Sequence, residues 1–237
     1  MPASHGQQKQ REKQKKKREA ARRKHASRPS LLDMSPAAIL RQAALLPMGP
    51  CFINADFGED NPAQPRLVSV LITRKAPGNI VVPALALCDR TCLGIKNAFV
   101  ARPILEVELD PMVIRIGEAH EAGMMPCEPL LAQSVVYHAL DYARSLGFEP
   151  HRDFPEPLFG PRPEVLLSTP LARPERPVYV AGPDDPVARI IERLDAAVGR
   201  GNYDFTVGAG ALDLDDEDLD EEDDDELDED EPGALLP

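Results

Sequence analysis

Two apolar runs of eight residues, 67–74 and 80–87, flank the turn-forming residues Pro77, Gly78 and Asn79. Both runs are rich in Val, Ile and Leu, so the pattern predicts a β-hairpin. Pro83 lacks the N–H that a ladder uses, which places that side of the second strand at an edge or a bulge. Residues 51–57 predict a further short strand, leading into a Gly/Asp/Asn/Pro-rich loop over 58–65.

Helical spacing marks three other stretches. Over 36–46, Ser35 can cap, Pro36 occupies the first turn, and Ile39, Leu40, Ala43 and Leu46 share a face. The longest pattern, 128–146, has Pro129 in its first turn and Gly147 as a left-handed stop. Its apolar face combines Leu130, Leu131, Val135, Tyr137 or His138, Ala139 and Tyr142, and is expected to pack on the hairpin. In the third, Asp184 or Asp185 caps and Pro186 starts a helix with Val187, Ile190, Ile191, Leu194 and Val198 inward, ended by Gly199.

The remaining segments are read more coarsely. Residues 92–99 suggest a turn at Gly94 followed by a helical stretch, and 105–109 and 112–116 fit a strand or a helix start equally well. The proline-rich stretch 150–177 reads as an extended arm, 178–181 as a strand, and 203–207 as a strand that closes the sheet. The elements together predict an α+β fold: a small, mainly antiparallel sheet with a β-hairpin packed by two or three helices, flanked by disordered charged tails.

Charge separates these elements from the two ends. Residues 9–28 hold eleven Lys/Arg against two Glu, and residues 213–231 are acidic at sixteen of nineteen positions. Taking that local +9 and −16 out of the overall −13 leaves −6 for the rest, so the low pI describes mainly the C-terminal run. Neither end has the apolar content to offset the entropy of ordering. The expected organisation is therefore a disordered basic tail over 1–30, a single α+β domain over 31–207, and a disordered acidic tail over 208–237. Good helix formers without Gly or Pro run over 12–24, so a helix that forms on binding is expected there.

Four cysteines, Cys51, Cys88, Cys92 and Cys127, follow no apolar signal segment, which points to a reducing compartment, the cytoplasm, without disulfides. No run approaches the roughly 18 to 20 apolar residues of a membrane span, so no membrane partner is expected.

The strand end running from Leu87 into Asp89, Cys92, Leu93, Gly94 and Lys96 resembles a group of uncharacterised bacterial proteins. They share an Asp-x-x-Cys-Leu-Gly-x-Lys strand end and the Leu-Gly-Phe-Glu-Pro-His segment that stands here at 146–151. The resemblance covers about 38–205 and excludes both tails. It implies a single domain and names no reaction.

Asp89, Cys92 and Lys96 gather a carboxylate, a thiol and an amine within eight residues, a set that could supply a nucleophile, a base or a ligand. The alternative is a turn in which Asp89 caps backbone amides, Cys92 fills the core and Lys96 is solvated. His138 and Asp141 lie three apart on the long helix and could add ligands with His120, His151 and Asp153. Asp141 could equally pair with Arg144, and the spacings do not assemble a metal set, so neither metal nor cofactor is expected. Gly182 stands between a strand and a helix where a phosphate could bind, but Asp184 and Asp185 occupy that helix start and would repel an anion.

The basic tail carries the remaining signal. Lys13, Lys15, Lys16, Lys17, Arg18, Arg22, Arg23 and Lys24, without interleaved aromatics, suit nonspecific contact with a phosphate backbone. The sequence therefore supports a cytoplasmic binding or adaptor protein that touches nucleic acid, RNA foremost, through this tail, with the acidic tail available to a basic protein partner. A hydrolase or nuclease using Asp89, Cys92 and Lys96 is the alternative.

Overall fold

A computed structural model describes residues 14–18, 31–58, 66–183 and 185–207. Among the described residues there are eight strands: β1 (Met48–Asn54), β2 (Leu67–Ala76), β3 (Ile80–Asp89), β4 (Gly94–Val100), β5 (Ile104–Leu105), β6 (Met124–Cys127), β7 (Val178–Ala181) and β8 (Asp204–Val207). The helices of this region are α1 (Pro36–Ala43), α2 (Leu109–Gly117), α3 (Pro129–Ser145), α4 (Glu156–Phe159) and α5 (Val187–Val198). Residues 14–18 are helical with exposed side chains. Lys13, Arg22, Arg23, Lys24, most of the loop over 58–65 and the acidic run lie outside the described residues.

The fold is α+β. Its main sheet runs β4-β3-β2-β1-β6, with β5 added beside β4 on β3, and every pairing in it is antiparallel. The predicted hairpin spans ten residues on each side, from Leu67↔Asp89 to Ala76↔Ile80. Asn79 takes a positive φ of 56° in its turn, a conformation that Asn tolerates better than most residues. Pro83 pairs with Thr73, and its carbonyl accepts from Ala101 N at 3.0 Å on the opposite side, in the gap between β4 and β5. Its missing N–H therefore faces a place where no strand pairs, as the sequence suggests.

Period-two alternation sends the two sides of each strand to different environments. Val68, Val70 and Ile72 of β2 and Val82, Ala84 and Ala86 of β3 lie fully buried against Ala132, Val135, Val136, Ala139 and Leu140 of α3, with Ile39 and Ala43 of α1 completing that core. The buried face of α3 is thus rotated from the predicted one: Leu130 stays 40% exposed and Tyr142 half-buried, while Ala132 and Leu140 point inward. Small Ala side chains let the helix approach closely. Gly94 marks that approach, because a Cβ there would stand 2.6 Å from Ala143 Cβ, and its φ of +72° also favours glycine. On the other face of the sheet, α2 buries Phe52 and Leu71 through Leu109 and Val113, with Leu85 and Met124 partly buried beside them.

Several expectations are corrected. Residues 94–100 form strand β4, not a helical stretch, because pairing with β3 overrides local propensity. The arm over 150–177 includes the short helix α4, whose Leu158 and Phe159 are fully buried. Strand β8 does not close the main sheet: it pairs in parallel with β7, from Val178↔Asp204 to Ala181↔Val207. This two-stranded unit shares a separate core of Cys92, Leu146, Phe148, Tyr179, Ile190 and Leu194. The ambiguous 105–116 stretch resolves into a 3-10 turn over Glu106–Glu108 and then α2. Ser35 precedes α1 but makes no side-chain cap bond.

Candidate functional site

The β3–β4 turn brings Asp89, Cys92 and Lys96 to one end of the sheet, and its local geometry follows from the Asp89 carboxylate. Oδ1 accepts from Thr91 N at 2.9 Å and Cys92 N at 3.1 Å, and Oδ2 from Leu93 N at 3.2 Å. Thr91 Oγ1 lies within hydrogen-bond distance of both Asp89 Oδ1 and the Val178 carbonyl, and Val178 N donates to Thr91 O at 3.0 Å. One buried carboxylate therefore satisfies three consecutive amides and holds the turn against β7. Such a carboxylate has little acceptor capacity left for a substrate or a metal.

Cys92 is fully buried beneath this turn. Burial, with the Asp89 carboxylate adding to it, pushes its thiol up to about 12, although Lys96 opposes the shift. Cys88 is likewise pushed up to about 12 by burial. Reactive cysteines need the reverse, a stabilised thiolate open to solvent.

Lys96 is not solvated. Its Nζ lies 2.7 Å from Asp185 Oδ2, and only 22% of its side chain is exposed. The same Oδ2 accepts from Gly182 N at 2.8 Å and from Tyr179 Oη at 3.3 Å. Asp185 thus turns back into the strand end instead of capping α5 with its side chain, and Pro186 holds the N-cap position. Asp184 lies outside the described residues. Burial and the Asp185 charge hold the Tyr179 hydroxyl well above its ordinary value. Arg66, Leu67, Asp89, Lys96, Ala181 and Gly182 surround a small cavity of about 120 Å³ here.

The other candidates lie apart from this cluster. His138 Nε2 is 2.8 Å from the Leu167 carbonyl, so that nitrogen carries the proton and donates. Asp141 pairs with Arg162 at 2.5 Å, not with Arg144, because the arm over 150–177 folds back across α3. His151 and Asp153 sit in a local turn, where Asp153 N lies 3.3 Å from His151 Nδ1. Among the described residues no three His, Cys, Asp or Glu side chains group to hold a metal, and no helix is long and apolar enough to cross a membrane.

Two arrangements escaped the sequence reading. Arg74 is 6% exposed on the α3 side of β2, with Nε donating to Leu158 O at 2.7 Å and Nη1 to Leu46 O at 2.9 Å. Burial lowers its pKa, and the carbonyl ends of two segments supply its acceptors. Period-two counting from Val68 through Ile72 already places Arg74 on the buried face, which was the available signal. The second arrangement is a trough of about 380 Å³ on the opposite face, lined by Leu67, Ser69, Leu87, Asn97, Phe99 and His120. His120 Nε2 lies 2.9 Å from Ser69 Oγ at its wall. This pairing joins residues 51 apart and left no mark in local patterning.

No family model, characterised protein or solved structure matches the chain.

Proposed function

We propose that this chain is a cytoplasmic binding and adaptor protein. Its basic segment makes nonspecific contacts with nucleic acid, RNA foremost, and its acidic run over 213–231 meets a basic protein partner, with the folded domain between them. The observation that carries this reading is the placement of Lys15, Lys16, Lys17 and Arg18, four successive cations on a helical stretch whose side chains are all exposed. Cations presented all round a helix suit a phosphate backbone and do not select bases.

The strand-end cluster supports the same reading from the other side. Asp89 is saturated by amides, Cys92 is buried with its thiol at about 12, and Lys96 is neutralised by Asp185. These groups are engaged in joining β7 to the main sheet, which favours an adaptor over a hydrolase or nuclease built on them.

The test is a salt titration of single-stranded RNA binding from about 50 to about 200 mM, comparing the full chain with a variant in which Lys15, Lys16, Lys17 and Arg18 are all changed to Ala. Each cation that neutralises a phosphate contributes about 0.7 to the log–log salt slope, so removing four such cations lowers it by about 3. Equal affinity and equal slope in the two proteins would overturn the reading.

A further inference from the structure

The uncovered half of the sheet combines two features. The first is an open strand edge. Strand β4 pairs with β3 only, and among the described residues its outer side makes one backbone hydrogen bond, His151 N to Ile95 O at 3.0 Å. Because Pro83 O accepts from Ala101 N, the alternation turns the backbone groups of Ala98 and Val100 outward, away from β3. The second is the apolar trough beside that edge, where Phe99 and Leu67 are 44% and 42% exposed. An unpaired edge next to apolar side-chain pockets is the arrangement by which sheets accept an added strand.

The described chain ends close to this place. Val207 pairs with Ala181, and Ala181 and Gly182 line the small cavity together with Lys96 of β4 and Leu67. A Cβ on Gly182 would lie 3.0 Å from Lys96 Nζ. Leu67 also lines the trough, so the chain leaves β8 next to both the start of β4 and the trough's near wall. The residues that follow are Gly208, Ala209, Gly210, Ala211, Leu212, Asp213, Leu214 and Asp215. Leu212 and Leu214 alternate with Asp213 and Asp215, the pattern of a strand with one apolar face. Seven residues can span up to about 25 Å, enough to run from Val207 along β4.

We infer that the segment over 209–215 adds to the outer edge of β4 as a further strand, with Leu212 and Leu214 seated in the trough beside Phe99. Ala98 and Val100 donate to and accept from its backbone, and Asp213 and Asp215 face away from the trough. The acidic run that begins there is thereby anchored along the Phe99 end of β4. The basic segment takes no part in this added strand, which stands independently of the nucleic-acid reading.

The experiment is amide hydrogen exchange on the full chain, comparing the natural sequence with a Leu212→Asp, Leu214→Asp double variant, at two protein concentrations. Both substitutions lie outside the described residues, and the buried β2 amides serve as the internal control for an intact fold. The amides of Ala98 and Val100 are expected to exchange at least about tenfold faster in the variant, at a rate independent of concentration, since an added strand's bonds open locally and disappear with its anchors. Equal exchange in the two proteins would overturn the inference. So would protection that rises with protein concentration, which would assign the edge to a second copy of the chain. RNA affinity measured on the same two proteins is expected to be unchanged, so failure here leaves the proposed function separately testable.

Discussion

On one face of the main sheet, Val68, Val70, Ile72, Val82, Ala84 and Ala86 lie wholly buried under α3; on the other, α2 reaches Phe52 and Leu71 and leaves Leu67 and Phe99 more than two-fifths exposed. The two faces belong to the same strands, so the difference comes from what covers them. The seventeen-residue helix α3 spans β1 to β4, whereas α2 has nine residues and stands over one side. A sheet needs one fully covered face to be stable, and a second, half-covered face is free to hold something else.

Substitutions on the two faces should differ accordingly in their cost. The largest effect is expected for Leu140→Ala, which empties a fully buried site between α3 and the sheet and is predicted to lower the unfolding free energy by about 3 kcal/mol in urea titration. Asp89→Ala comes next. It leaves the amides of Thr91, Cys92 and Leu93 without their acceptor, for a loss of about 2 kcal/mol by the same measurement. Lys96→Met removes one partner of a half-buried ion pair while Tyr179 and Gly182 still hold Asp185, and should cost about 1 kcal/mol.

The buried thiols of the two cores add a pH dependence. Burial raises Cys88 and Cys92 from 9.0 to about 12, so above pH 9 the unfolded chain has released thiol protons that the native chain keeps. The native state then binds more protons, its stability is full below about pH 9, and it falls as pH rises towards about 12, by up to about 1.4 kcal/mol per pH unit for each thiol. Urea unfolding at about pH 8 and about pH 10.5 measures this fall, and a Cys88→Ala, Cys92→Ala double variant should reduce it, with Cys51 and Cys127, also raised by burial, supplying the remainder. The smallest effect is expected for Phe99→Ser on the open face, within about 0.5 kcal/mol of the natural chain. A loss as large as that of Leu140→Ala would contradict the distinction between the faces.

Local pattern and long-range contact account for what could be read from the residues alone. The hairpin was legible because both strands are apolar and Pro77, Gly78 and Asn79 punctuate them. Helices α1, α3 and α5 were legible from apolar spacing, Pro positions and, for α3 and α5, Gly stops, and the capping role of Asp89 from ordinary turn chemistry; the expected side-chain caps on the helices do not form. Strand β4 was not, since its burial pattern is interrupted by a bulge between Leu87 and Cys88 and its identity comes from pairing with β3. Strand β8 has the same cause: it pairs with β7 in parallel register, Val178 opposite Asp204, across a connection that no periodicity records. The Lys96–Asp185 pair joins residues 89 apart, and the Asp141–Arg162 pair depends on how the arm folds back. Within the candidate site, the residue types were visible from the strand end, but their engagement was visible only in the fold.

This engagement holds β7 to the main sheet, and the proposed RNA contacts fall to the basic segment instead. A paired measurement on Asp89→Asn separates the two roles: urea unfolding together with RNA binding by the folded protein. Reduced stability with unchanged RNA affinity is the predicted result, because one carboxylate oxygen becomes a donor facing backbone N–H groups. Reduced affinity at unchanged stability would contradict the claim and would make Asp89 a residue that acts on a ligand.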